Sequence, residues 1–300
     1  MSLLTLVQDF CSEVGIPQPT SVVGSSDPQI QQILALLNRT GRTIARAWEW
    51  QKLVLEGRLT TVATSTTGDL VNGSAVVQNI PSTAGFTTSY GVVGLGIRPF
   101  TQIQSIDSPT QVTLTLPATQ TQVGQTLQFS QVQYDLPADW LKEIPQTEWD
   151  RSNRWPLIGP VSSQTWQSFK SGIVYAGPRA RFRIQNQQIF INPPPANGFI
   201  YAYEYQSQNW VLSASGTGQA KFLADTDTHV FDESLLISGL KAQWFLIKGF
   251  DASSHLAEFN TLLDMCKAQD KSAPKLSLAP TGGDILLTNK NLPDGSWNVS

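Results

Sequence analysis

Amphipathic helical patterns lie near both ends of the chain, with β-type sequence between them, and this arrangement constrains the fold most. Short amphipathic helices bury their apolar stripes against one another. We therefore predict an α+β fold in which both chain ends form a four-helix core and the middle of the chain is inserted into it. The apolar positions with helical spacing are Leu3, Leu6, Val7, Phe10 and Val14; Ile30, Ile33, Leu34, Leu37, Gly41, Ile44, Ala45 and Trp48; Leu236, Leu240, Trp244 and Ile247; and Leu256, Phe259, Leu263 and Cys266.

Capping residues set the predicted ends of these helices. Asp27 is suited to cap the second helix, and Pro28 fits its first turn. Asp232 is suited to cap the third helix, which Gly249 closes. The fourth helix follows and cannot continue past Pro274.

The segment from 58 to 132 has the character of a separate β domain. It carries almost no charge, and short strands such as Ser74–Val77 and Thr110–Leu116 alternate with turns that contain glycine. About five strands in roughly 70 residues are typical of a small barrel or sandwich. We therefore predict a small inserted β-barrel or sandwich domain.

The segment from Tyr134 to about Val211 is predicted to form a β-meander beside the helices. Its strand-like stretches are Phe182–Ile184, Gln188–Ile191 and Tyr201–Tyr205, with a hairpin turn at Asn186. The last 30 residues contain little core material and are predicted to form an extended tail. The predicted parts are a helical core with β-meander (1–57 and 133–270), an inserted β domain (58–132) and an extended C-terminal tail (271–300).

Low charge limits the kinds of partner that the chain can hold. Charged residues make up 14% of the sequence, and the net charge is −3. Strong sequence-independent DNA binding normally requires a basic excess, whereas interface cores between proteins are depleted in charge. Arg39, Arg42 and Arg46, opposite the apolar stripe of the second helix, are candidates for contact with DNA phosphates or an acidic partner surface. The alternative is a solvated helix face with local ion pairs.

Residues that could support catalysis are sparse. His229 and His255 have no cysteine at zinc-ligand spacing, and the glycine-rich run Gly91–Gly96 predicts a strand and turn. Asp225, Asp227 and His229 form the best candidate for a divalent cation site, with a polar loop that caps the third helix as the alternative. We expect no catalytic residue, no cofactor and no metal.

Two further features bear on where the protein is made. Cys11 and Cys266 occupy apolar helical positions, so we expect structural thiols and no disulfide scaffold. The start of the sequence lacks the basic and apolar pattern of a leader peptide, and no apolar run reaches the about 18 residues of a membrane span. We expect synthesis in the cytoplasm and no membrane partner.

The order of these elements resembles the head-to-tail connector, or portal adaptor, proteins of short-tailed bacteriophages. The resemblance covers residues 1–56 and about 133–300. The stretches that carry it are Tyr134–Trp140, the meander Phe182–Tyr205 leading into Ser207–Val211, and Asp225–Gly249 followed by Asp251. Leu59–Val132 is similar to a β insertion of phage structural proteins, with Thr110–Thr121 its most typical stretch.

The resemblance implies a non-enzymatic virion protein at the head–tail junction, present in the host cytoplasm during assembly. It implies a dodecameric ring of identical copies that docks on the portal protein, extends the channel for double-stranded DNA without sequence specificity, and offers a tail or nozzle protein its attachment site. It also implies a C-terminal tail that reaches the portal. The candidate contacts in that tail are Lys275, Leu278, Ile285, Leu286, Leu287 and Trp297.

Two other classes of function remain open at this point. A β-rich receptor- or glycan-binding virion protein would cluster exposed tryptophan and tyrosine side chains in a groove. A metal-dependent hydrolase would bring Asp225, Asp227 and His229 together with another carboxylate.

Overall fold

The computed structural model describes residues 1–171 and 179–270. The predicted C-terminal tail, 271–300, with its candidate contacts Lys275, Leu278, Ile285, Leu286, Leu287 and Trp297, lies outside the described residues. Within those residues the protein is a mixed α+β structure with five α-helices and several small antiparallel sheets, so the predicted fold class is confirmed at that level.

The helices are α1 (Leu3–Val14), α2 (Pro28–Ala47), α3 (Ser163–Lys170), α4 (Glu233–Lys248) and α5 (Ser253–Asp270). The strands are β1 (Val54–Thr60), β2 (Ala63–Leu70), β3 (Val76–Val77), β4 (Tyr90–Val93), β5 (Ile103–Ser108), β6 (Gln111–Leu114), β7 (Gln122–Gln131), β8 (Gln133–Asp135), β9 (Trp140–Glu143), β10 (Trp149–Asp150), β11 (Trp155–Pro156), β12 (Arg181–Gln185), β13 (Gln188–Asn192), β14 (Ile200–Ser207), β15 (Val211–Leu212), β16 (Gly218–Gln219) and β17 (Thr228–His229).

The predicted helix caps are present. The Asp27 side chain accepts a hydrogen bond from the backbone N–H of Gln29, and the Asp232 side chain accepts one from Leu235. Gly249 ends α4 with φ of 78°, in the left-handed region that favours glycine. These caps satisfy backbone donors and acceptors that a helix end otherwise leaves free, which fixes where α2 begins and where α4 begins and ends.

The described chain forms two compact units. In the first unit (1–55, 139–144 and 205–270), one hydrophobic cluster combines buried residues from α1, α2, α4 and α5. The Phe10 and Trp244 rings meet edge to face with centroids 5.9 Å apart, and Trp210 is fully buried in the same cluster. Trp210 directly precedes β15, the central strand of the short sheet β16-β15-β17. The first two and the last two described helices therefore contribute to one core.

The second unit (56–138, 145–171 and 179–204) contains the β-rich middle of the chain. Two three-stranded antiparallel sheets, β2-β7-β4 and β3-β6-β5, place their buried side chains in one hydrophobic cluster that includes Phe86 and Phe129, whose rings stack at 4.6 Å. The strands predicted at Ser74–Val77 and Thr110–Leu116 contain β3 and β6, which pair with each other. The division of the chain into the three predicted parts stays a prediction.

The predicted hairpin in the meander is confirmed. Strands β12 and β13 pair over five residues, and β13 also pairs with β8. Asn186 and Gln187 join the hairpin strands with φ of 52° and 57°. Positive φ at both central residues is the signature of a type I′ turn, whose twist matches that of a two-stranded ribbon.

Two details of the sequence reading were wrong. Helix α3 lies where only β structure was expected; Ser162 caps it, and it buries Trp166 and Phe169. Ile247, assigned to the buried stripe of the third predicted helix, is 46% exposed. Apolar residues at the end of α4 lie on more than one side of the helix, and the hydrophobic core buries only one of those sides.

Candidate partner-binding surfaces

The three arginines predicted to contact DNA or a partner form a row on the exposed side of α2. Arg39, Arg42 and Arg46 are all exposed, at positions i, i+3 and i+7 of one helix. With a rise of about 1.5 Å per residue, the row spans about 10 Å. Among the described residues none of the three forms a salt bridge, and the Arg42 Nε donates a hydrogen bond to the Asn38 carbonyl oxygen at 3.2 Å. The charges are therefore available to an anionic partner.

The opposite side of α2 anchors that row rigidly. Gly41 faces Trp210 so closely that no side chain fits between them. The Gln206 Nε2 donates to the carbonyl oxygens of Ala45 and Trp48, at 2.7 and 2.9 Å. A helix fixed along its inner face keeps the backbone positions of the three arginines constant relative to the rest of the first unit.

An exposed apolar surface lies where α4 ends. Leu246, Ile247 and Phe250 are 55%, 46% and 64% exposed, and they are within five positions of one another. We call these three residues the apolar turn. Exposed apolar patches of this kind mark interaction sites on proteins. Sequence reasoning missed this surface, although the continuous apolar run at the end of α4 is a signal that the helix is covered on more than one side.

Contacts on both sides hold the apolar turn in place. The Lys248 ammonium lies 4.3 Å from the centre of the Trp244 ring and donates to the Gln32 side chain at 3.1 Å. The Phe245 ring lies 4.5 Å from that of His255 on α5. The turn is therefore a formed surface before any partner arrives.

The structure does not bring Asp225, Asp227 and His229 together as a cation site. Asp225 accepts hydrogen bonds from the Ser21 hydroxyl and the backbone N–H groups of Val22 and Val23, whereas Asp227 accepts from the backbone N–H groups of Leu223 and Ala224. The His229 ring is bonded through Nδ1 to the Phe231 carbonyl oxygen at 2.9 Å. Each group thus fixes a separate piece of loop. In the described part of the chain, no three His, Cys, Asp or Glu side chains are grouped to hold a metal ion.

The environments of these groups shift their pKa values. Burial works against ionisation of Asp225, but the donors at Val23, Ser21 and Val22 outweigh it and lower the pKa of the carboxyl group. Burial also lowers the pKa of His229, against the opposing hydrogen bond to Phe231. Asp225 is therefore held as an anion and His229 as a neutral ring.

The tryptophans considered as sugar platforms mostly pack inside the protein. Trp140, Trp166 and Trp210 are at most 8% exposed, and the Trp140 ring stacks on Tyr205 at 5.3 Å. A stacked or enclosed ring face cannot receive a sugar. Both cysteines are free thiols, Cys11 buried and Cys266 half-buried. Across residues 1–171 and 179–270, no helix combines the length and hydrophobicity needed to cross a membrane.

Comparison with known proteins identifies a family. The sequence model described as SU10 adaptor protein matches residues 101–278, more than half of the chain. No curated protein matches the sequence. The matched region contains α3, the β12–β13 hairpin, α4 and α5, and it begins inside the segment 58–132 that was predicted to be an insertion.

Proposed function

Since the chain belongs to the SU10 adaptor protein family and is thus a bacteriophage head-to-tail adaptor and a virion component, we propose that it forms the ring that joins portal to tail. In this proposal identical copies assemble into a dodecameric ring, the ring docks on the portal protein, and a tail or nozzle protein attaches below. Double-stranded DNA passes through the ring without sequence-specific contact, and the chain carries no catalytic activity. The observation that carries the proposal is the family match across both units of the chain.

The helices of the first unit supply the proposed docking body. In this view α1, α2, α4 and α5 act as a four-helix core that keeps its shape during assembly, and the small β-barrel or sandwich of the second unit reaches toward a neighbouring protein. The shared hydrophobic cluster and the ion pair between Glu13 of α1 and Lys241 of α4 support a rigid body. Rigid, weakly charged faces suit a ring in which each copy uses two different interfaces.

The apolar turn and the arginine row take different roles in this proposal. Leu246, Ile247 and Phe250 would be buried against a neighbouring copy, because removal of apolar surface from water is the main favourable contribution to most protein association. Arg39, Arg42 and Arg46 would meet either an acidic surface of the portal or the phosphates of passing DNA. Three cations against a net charge of −3 provide local attraction without a strong grip on DNA.

Electron microscopy of the chain mixed with its portal ring tests the proposal. The full-length chain is expected to decorate the portal, and a chain stopped after Asp270 is expected to lose decoration if the tail is the anchor. Decoration by both proteins would show that the helices, and not the tail, attach the chain to the portal. Decoration by neither would overturn the adaptor ring and direct attention to glycan arrays, which test the receptor- or glycan-binding alternative.

A charge-matched pair of variants tests the arginine row in the same experiment. Arg39→Gln, Arg42→Gln and Arg46→Gln are combined in one protein. The control combines three exposed cations elsewhere, Arg98→Gln, Arg154→Gln and Lys221→Gln. The row variant is expected to decorate fewer portals, with weaker dependence on salt, while the control keeps wild-type decoration. Equal decoration by both variants would mean that the three arginines do not contact the portal and instead face solvent or DNA.

A further inference from the structure

A cleft of about 340 Å³ in the second unit is large enough for a small ligand or a peptide side chain. Its lining combines aromatic and aliphatic side chains with amide side chains and one lysine. Its lining includes Phe100, Gln102, Gln133, Lys170, Phe190 and Asn192. None of these residues belongs to the arginine row or the apolar turn.

A tight turn holds an aromatic ring in the lining of the cleft. Phe100 has φ of 62°, a conformation in which a bulky side chain is an outlier. Its ring is clamped edge to face against Trp166, with centroids 5.5 Å apart, and stacks on Phe169 at 6.0 Å. The ring of Phe190 approaches Trp166 at 6.4 Å. The turn from Arg98 to Thr101, closed by a hydrogen bond from the Thr101 N–H to the Arg98 carbonyl oxygen at 3.3 Å, accounts for this φ and fixes the position of the ring.

Four side-chain amides in the lining of the cleft have no hydrogen-bond partner within the described part of the chain. The side-chain amides of Gln102, Gln133, Gln185 and Asn192 make no hydrogen bond within residues 1–171 and 179–270. Gln102, Gln133 and Asn192 are half-buried, whereas Gln185 is exposed. Each amide can both donate and accept, as the backbone of an extended peptide also does. Four such amides in one largely apolar lining can hydrogen-bond to a peptide backbone.

The charge of the residues that line the cleft restricts the chemical class of the ligand further. Among the described residues that line the cleft, Lys170 is the only charged one and none carries a carboxylate. A lone ammonium at an apolar cleft favours a carboxylate next to an apolar side chain. A sugar would need an open aromatic face, but Trp166 is only 6% exposed and its ring is already packed against Phe100.

We propose that this cleft binds an extended peptide segment of another virion protein, with an apolar side chain seated between Phe100 and Phe190 and a neighbouring carboxylate at Lys170. The partner identity rests on the proposed adaptor function, whereas the ligand chemistry rests on the cleft. A second attachment point of this kind would join the β-rich unit to the particle independently of the arginine row and the apolar turn.

Binding of N-acetyl-L-phenylalanine to the full chain, followed by ligand-detected NMR, tests the ligand chemistry. This probe carries an aromatic side chain, an amide and a carboxylate. We expect millimolar binding to the wild type. A charge-assisted hydrogen bond contributes enough that Lys170→Gln, or the uncharged probe N-acetyl-L-phenylalanine amide, should bind about tenfold more weakly.

Two tryptophan variants locate the site. Gln185→Trp places a large ring at the mouth and is expected to abolish binding, while Gln104→Trp, exposed on β5 and outside the cleft, is expected to leave it unchanged. Equal binding of charged and uncharged probes, binding that survives Gln185→Trp, or no binding at all would overturn the proposal. Preference for glucuronate over the phenylalanine probe would also overturn it, in favour of a sugar site. The binding experiment contains no portal, so a failure of the proposed portal ring would not change its outcome. A failure to bind the probe would likewise not contradict the proposed ring.

Discussion

Substitution of Gly41 by alanine is predicted to destabilise the first unit, although alanine favours helices. A Cβ atom built at Gly41 would lie 2.2 Å from both Cη2 and Cζ2 of Trp210 and 2.6 Å from its Cε2. Carbon atoms in good contact are about 3.5 to 4.0 Å apart. Either the indole ring or the whole of α2 must therefore move by more than about 1 Å.

The surroundings of Trp210 decide how costly that movement is. The indole is fully buried, its ring lies 5.1 Å from Phe222 and 6.0 Å from Phe231, and its Nε1 donates to the Ala220 carbonyl oxygen at 3.0 Å. Overpacking of a filled core costs about 1–3 kcal/mol, and a ring fixed on three sides places this site at the upper end. The gain in helix propensity from glycine to alanine is about 1 kcal/mol. The net loss in unfolding free energy is about 2 kcal/mol.

Urea unfolding followed by far-UV circular dichroism measures this loss, and a double-mutant cycle assigns its cause. Trp210→Phe provides a shorter ring that lacks the outer carbon atoms of the indole. In that background Gly41→Ala is expected to cost at least about 1 kcal/mol less than in the wild type. Unchanged or increased stability of Gly41→Ala alone, or an equal cost in both backgrounds, would refute the steric argument.

Three further predictions concern buried or capping polar groups. Burial raises the pKa of Glu148, against donors on the backbone of Glu148, Thr147 and Gln146, and its Oε1 has no hydrogen-bond partner among the described residues. Ionisation of the carboxyl group therefore destabilises the folded state as pH rises through the raised pKa. Glu148→Gln is expected to raise the free energy of unfolding at neutral pH by about 1 kcal/mol and to make that free energy depend less on pH between acidic and neutral pH. A loss of stability would contradict this. The folded state favours a neutral His229 ring, so the unfolded state binds the extra proton and stability should fall as pH drops below about 6.5. The melting temperature of His229→Gln should fall less with acid than that of the wild type. An unchanged dependence on pH would contradict this explanation. Asp225→Ala leaves two backbone N–H groups without their acceptor and is expected to cost about 2 kcal/mol in urea unfolding, whereas addition of divalent cations should not change the melting temperature of the wild type.

The helical parts of the fold were predictable because their signals are local. The Asp27–Pro28 start of α2 and the Asp232 and Gly249 ends of α4 each lie within one turn of the backbone groups that they satisfy. The hairpin at Asn186 was predictable for the same reason. Helix α3 has only eight residues and two buried aromatic side chains, too few to show a period amid the surrounding strands.

The binding surfaces were less predictable because they depend on contacts between distant residues. Arg39, Arg42 and Arg46 could be placed on the exposed side of α2 from helical spacing alone. The exposure of Ile247 could not be predicted from helical spacing, because it depends on how α5 packs against α4. The proposed cleft joins Phe100 to Trp166 across a separation that no local pattern describes.

Removal of the chain from the phage during assembly tests the central claim most directly. Particles made under a nonsense mutation in this gene, purified and imaged by cryo-electron microscopy, are compared with particles from the same infection supplied with the wild-type chain. The adaptor account predicts heads that carry a portal but no tail, with a ring of extra density below the portal restored by the supplied chain. Complete tailed particles without the chain, or density for the chain at the tail tip, would contradict it.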